Sequence, residues 1–114
     1  MEVQEIICLW VDDVRFPPLD CYYNNCHVRW LWANSVGDAK NIIKRREEVG
    51  TPFVFISMDH DSGDYFYDGG DYIKLLDWLE ETGRNYPIRI HSQNIVGVQN
   101  MRAIIERNGW TEVK

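Results

Sequence analysis

At 114 residues, with a net charge of −6, 45% hydrophobic and 26% charged residues, the chain can build one hydrophobic core but not two, so residues 1–114 are read as a single domain. The acidic balance excludes sequence-independent nucleic-acid binding, which needs a basic face, but not contact with one phosphate through a metal. No run approaches the roughly 20 apolar residues of a membrane span, and Met1-Glu2-Val3-Gln4-Glu5 lacks the basic start and apolar run of a signal peptide, so the expectation is a cytoplasmic protein.

Ile6 to Val11 is apolar throughout, as in a strand buried on both faces. The segment from Asp12 to Cys26 carries Pro17-Pro18 and no helical period; compact domains seldom keep so long an irregular connection without a use. His27 to Trp32 alternates, with Val28, Trp30 and Trp32 on one face, which suits an edge strand. Ser35 opens a helix as a capping box with Asp38 in the reciprocal position. Val36, Ala39, Ile42, Ile43 and Val49 recur along it at helical spacing, and Gly50 stops it.

Phe53 to Met58 is a further buried strand. The next helix is predicted over 70–82, burying Tyr72, Leu75, Leu76 and Leu79, and Ile88 to His91 alternates as a fourth strand. Asn94 is a good N-cap for a third helix that buries Val98, Met101, Ile104 and Ile105 and ends at Gly109. A short last strand over 110–113 is weakly marked. Strands alternating with helices imply parallel pairing and right-handed crossovers. The expected fold is therefore α/β, a three-layer sandwich on a mainly parallel sheet of four to five strands, with the second strand at one edge.

Open sheets of this kind bind ligands beyond the carboxyl ends of their strands. Asp12-Asp13 follows the first strand, Asp59-His60-Asp61 the third, and His91-Ser92-Gln93-Asn94 the fourth. Carboxylates crowded on one rim repel unless a cation or protons intervene. Mg²⁺ or Mn²⁺ on Asp12, Asp13, Asp59 and Asp61 answers that, with substrate phosphate completing the shell. Any one of these acids alone would read as an Asx-turn or cap; their coincidence at strand ends points to a site.

His60 and His91 have the residue type for moving protons near neutral pH. A charge-balancing role for His60 and a half-buried strand-end role for His91 stand beside that reading, and His27 is explained by structure or exposure. Asn94 and the amides opening the third helix form an anion site, with Gly97 allowing close approach; plain capping coexists with it. Arg15 can neutralise phosphate charge. Asp64-Tyr65-Phe66-Tyr67-Asp68, bracketed by glycines, is either a flexible cover for a base or sugar or a surface loop. Five Trp and six Tyr suit a binding surface as well as a core. Cys8 reads as a small core residue, and Cys21-x4-Cys26-His27 lacks the second pair a zinc site needs.

An acidic pair after strand one, an Asp after strand three and a Ser after strand four resemble the phosphoacceptor receiver domains of response regulators. The fuller pattern is similar to a divergent branch of that flavodoxin/receiver-like fold, the cyclic-phosphate-processing receiver family. It is carried by Val11-Asp12-Asp13-Val14-Arg15-Phe16-Pro17-Pro18, Ser57-Met58-Asp59-His60-Asp61, and Ile90-His91-Ser92-Gln93-Asn94 with Val96-Gly97 and Met101. An ordinary receiver has a helix where this chain has its Pro-Pro loop, and a Lys closing strand five that this chain lacks.

The resemblance implies a cyclic-phosphate substrate, such as an RNA 2′,3′-cyclic end or a cyclic nucleotide. One expectation is therefore a metal-dependent phosphoesterase in which Asp59, His60 and His91 are catalytic. Asp12, Asp13, Asp59 and Asp61 hold the metal in that reading, and Arg15, Ser92 and Asn94 bind phosphate. The other is a non-catalytic receiver-like module, either a signalling partner of another protein or a cyclic-nucleotide sponge.

Overall fold

The computed structural model describes residues 3–114. In chain order the elements are β1 (Glu5–Val11), β2 (Tyr22–Tyr23), β3 (Cys26–Ala33), α1 (Val36–Glu48), β4 (Ile56–Met58), α2 (Ile73–Glu81), β5 (Ile88–Ile90) and α3 (Ile95–Asn108). The sheet runs β2-β3-β1-β4-β5, parallel throughout except for the antiparallel β2–β3 pair. The α/β class and the mainly parallel sheet are as the apolar runs imply.

Local chemistry explains where the boundaries differ from the sequence reading. Asn24 and Asn25 both take left-handed backbone, with φ of 49° and 64°, the twist a two-residue hairpin turn demands. So β2 lies outside β3, opposite Cys26 and His27, and β3 is an edge strand only beyond that point. Gly69 and Gly70 have φ of 109° and 86°, which no helix accepts, so α2 starts at Ile73 and not at Gly70. Val49 is 64% exposed; six residues beyond the buried Ile43 it has turned about 240° and left the inner face. The expected last strand reduces to one bridge between Ile88 and Glu112.

The two faces of the sheet are covered differently. Leu9, Val11, Ile56, Met58 and Ile88 share one face with the buried residues of all three helices, including Ile43, Leu76 and Met101. The opposite face carries Cys8, Val28, Trp30 and Phe55. Its outer layer is irregular chain, fastened by indoles. Trp10 Nε1 donates to Arg15 O at 2.9 Å, Trp30 Nε1 to Pro18 O at 3.0 Å, and Trp32 Nε1 to Asp12 O at 2.8 Å. By strand register these three tryptophans point to the same side. The Pro-Pro segment thus takes the place of a helix, and each indole satisfies its one donor on loop backbone.

Candidate functional site

β1 lies between β3 and β4, so the chain leaves it in one direction and later returns on its other side. Ligand sites form at the carboxyl ends of strands at such a reversal. Asp12 and Asp13 leave β1 there and Asp59 leaves β4; each offers an oxygen within 4.8 Å of the other two.

Asp12 is fully buried. Its Oδ1 accepts the Val14 and Arg15 amides, both at 3.0 Å, and its Oδ2 lies 2.9 Å from His91 Nε2. Burial pushes this carboxyl up, but the Arg15 and Val14 amides and His91 outweigh it and hold Asp12 below the ordinary value. Asp13 goes the other way. Burial, a hydrogen bond shared with Asp12, and the charges of Asp12 and Asp59 all raise it. Carboxylates this close repel one another, and each raises the cost of ionising the next. Three hard oxygen donors within 4.8 Å of one another fit a divalent cation such as Mg²⁺ or Mn²⁺.

His91 follows β5, its ring stacked on Trp10 with centroids 3.8 Å apart. Its Nδ1 lies 2.8 Å from the Ser57 hydroxyl, so both ring nitrogens are engaged by protein. Burial keeps the ring below the usual histidine pKa despite the Asp12 contact.

Asp61 stands apart from the three clustered carboxylates and groups instead with His60 and Asp71. His60 Nδ1 lies 2.8 Å from Asp61 Oδ1. The His60 contact first, and Asn94 further, hold the Asp61 carboxyl below its ordinary value. Asn94 caps α3 by accepting the Gly97 amide at 2.9 Å, and turns its amide nitrogen to Asp61 at 3.2 and 3.3 Å. An ionised Asp61 can only accept, so it takes a hydrogen bond from Nδ1–H and leaves Nε2 with the free lone pair, the dyad logic of histidine bases. Gly97, expected to admit a ligand, admits His60: a Cβ there would lie 2.5 Å from the ring's Cγ.

The remaining expected phosphate binders are less committed. Arg15 is exposed and reaches His91 O at 3.3 Å, and Ser92 Oγ accepts the Asn94 amide at 3.2 Å. The aromatic loop is pinned, not loose. The Ser35 hydroxyl donates to Asp68 Oδ2 at 2.6 Å, and the amide and hydroxyl of buried Ser62 donate to Asp71 Oδ1 at 3.1 and 3.3 Å. Phe66 and Tyr67 are held outward, exposed.

Four residues around the site escaped the sequence reading. Asp71 and Tyr72 looked like the start of a helix. Tyr72 is fully buried, and its hydroxyl donates to Asn34 O. Burial and then the charges of Asp13, Asp12 and Asp59 push it above the ordinary tyrosine value. Trp10 and Ser57 were absorbed in apolar runs; a lone hydroxyl inside Phe53–Met58 was the one available signal for Ser57.

The family model for the cyclic-phosphate processing receiver domain matches residues 7–107. No curated protein and no solved structure matches the chain.

Proposed function

Since the chain belongs to the cyclic-phosphate processing receiver family, we propose that it is a metal-dependent phosphoesterase acting on a cyclic phosphate, either an RNA 2′,3′-cyclic end or a cyclic nucleotide. The observation that carries this reading is the Asp12–Asp13–Asp59 cluster at the sheet's reversal point. Those three carboxylates would hold Mg²⁺ or Mn²⁺. When bound, the metal supplies polarisation of the phosphoryl oxygens and a water of lowered pKa.

Hydrolysis forms a bond from water oxygen to phosphorus and breaks one of the two ester P–O bonds of the ring. The leaving oxygen takes a proton, and the product is a phosphomonoester beside a free hydroxyl. His60 is the proton carrier in this reading, accepting at Nε2 while Asp61 orients Nδ1–H. Arg15, the Ser92 hydroxyl and the amides opening α3 receive phosphoryl oxygens. Asn94 contributes through its cap and its hold on Asp61, more than by direct contact.

A second reading, a binding module without turnover, is favoured by one observation. His91, expected to share proton transfer with His60, has both nitrogens occupied. Incubation with cyclic nucleotides and 2′,3′-cyclic-ended oligonucleotides, with and without Mg²⁺ or Mn²⁺, separates the two. Metal-dependent ring opening supports the enzyme. Saturable binding with no product supports the module.

A further inference from the structure

The cluster of acids is held from behind by a line of side chains on the helix-free face. Register puts Ser57 opposite Trp10, and Arg89 opposite Ser57, so His91, two residues beyond Arg89, points to the same side. Ser57 and Asp12 are fully buried, at 0% exposure. The line reads Ser57 Oγ, 2.8 Å to His91 Nδ1, then His91 Nε2, 2.9 Å to Asp12 Oδ2. The indole of Trp10 lies within 4° of parallel to the imidazole and fixes its plane.

Hydrogen-bond accounting decides where the proton sits. A carboxylate only accepts, so the nitrogen facing Asp12 must carry hydrogen. Among the described residues, the Ser57 hydroxyl has no hydrogen-bond partner other than His91 Nδ1. Buried as it is, its proton has one destination, the Nδ1 lone pair. The opposite tautomer would set lone pair against lone pair at Asp12.

We propose that Ser57 is a positioning residue: by donating to Nδ1 it fixes His91 as the Nε2–H tautomer, which orients Asp12 for the cation its neighbours share. This rests on the metal reading above for its purpose, though not for its geometry. His91 is the partner one step behind the Asp12 carboxylate, the kind of group whose loss weakens metal binding by roughly 10- to 100-fold, and Ser57 stands one step behind His91. Ser57 is too buried to meet substrate, so it acts only through His91.

The test compares wild type, Ser57→Ala and Ser57→Thr by two measurements: nitrogen-15 NMR of the His91 ring in metal-free protein, and calorimetric titration with Mn²⁺. The expected result is a wild-type ring protonated at Nε2. In Ser57→Ala that single tautomer is lost and Mn²⁺ affinity falls by about 10-fold, and Ser57→Thr restores both. A wild-type ring protonated at Nδ1, or a Ser57→Ala protein with unchanged tautomer and affinity, overturns the proposal. Should wild type bind no Mn²⁺, the metal reading fails by itself. The NMR measurement then decides the positioning claim, which stands only if the Nε2–H tautomer is present and depends on the Ser57 hydroxyl.

Discussion

The Trp10 indole lies flat against the His91 imidazole, centroids 3.8 Å apart and planes within 4°. A histidine expected to move protons is thereby clamped on a buried aromatic face, while His60 keeps Nε2 without a protein partner among the described residues. The two histidines of the site are therefore separable by experiment.

His60→Gln is expected to lower single-turnover hydrolysis of a cyclic phosphate by roughly 10²- to 10⁴-fold with calorimetric affinity little changed. His91→Gln is expected to weaken Mn²⁺ binding first. Equal activity of wild type and His60→Gln would remove His60 from the mechanism.

Asp13→Asn relieves the crowding that raises the Asp13 carboxyl, so the metal-free variant should melt at or above the wild-type temperature. Mn²⁺ at about 100 times its Kd should stabilise wild type by about 2.7 kcal/mol, or roughly 10 °C for a chain of this size. The variant should show none of that gain. A wild-type melting temperature indifferent to Mn²⁺ and Mg²⁺ would sink the site.

Gly97→Ala sets two effects against each other. Ala in a helix is favoured over Gly by about 1 kcal/mol. The new Cβ, however, would lie 2.5 Å from His60 Cγ, so His60 or the first turn of α3 must move. The net outcome expected is a lower melting temperature and lost turnover; a more stable, fully active variant would show that His60 does not need its seat.

Glu47 gives the pH prediction. It accepts Arg84 Nε at 3.0 and 3.1 Å and the Tyr86 hydroxyl at 2.5 Å. Burial pushes its carboxyl up, but Arg84 and Tyr86 outweigh this and hold it below the ordinary value. Between its folded and ordinary pKa values the native state binds fewer protons than the unfolded chain, so stability falls as pH falls through that interval. The contribution is complete above the ordinary glutamate pKa and gone below the folded one. Denaturant melts should show wild type losing its advantage over Glu47→Gln across that window, from about 1 kcal/mol at neutral pH.

Trp30→Phe keeps an aromatic side chain, though a smaller one, and deletes the donor to Pro18 O. The cost should be about 1 kcal/mol, concentrated in the loop after β1. Trypsin should cut after exposed Arg15 faster than in wild type, and unchanged cleavage would mean that the indole does not hold the loop.

Runs such as Ile6–Val11 and the caps Ser35 and Asn94 depend on nearby residues alone. They are enough to place strands, the starts of α1 and α3, and the acids after β1 and β4. Parallel alternation then brought Asp12, Asp13 and Asp59 to one rim, because period-2 strands in a parallel sheet leave little freedom there. Contacts between distant residues were beyond reach of that reasoning. His91 meets Asp12 across 79 positions and Ser57 across 34. Asp61 turned to His60 because Asn94, 33 residues on, supplies the donor that holds it. The layer of irregular chain in place of a helix depends on three indoles reaching loop carbonyls, and two of them lie 12 and 20 residues from their acceptors. Hydrophobic periodicity records which face of an element is buried, but a hydrogen bond between side chains leaves no periodic trace. It forms only after packing has fixed both partners.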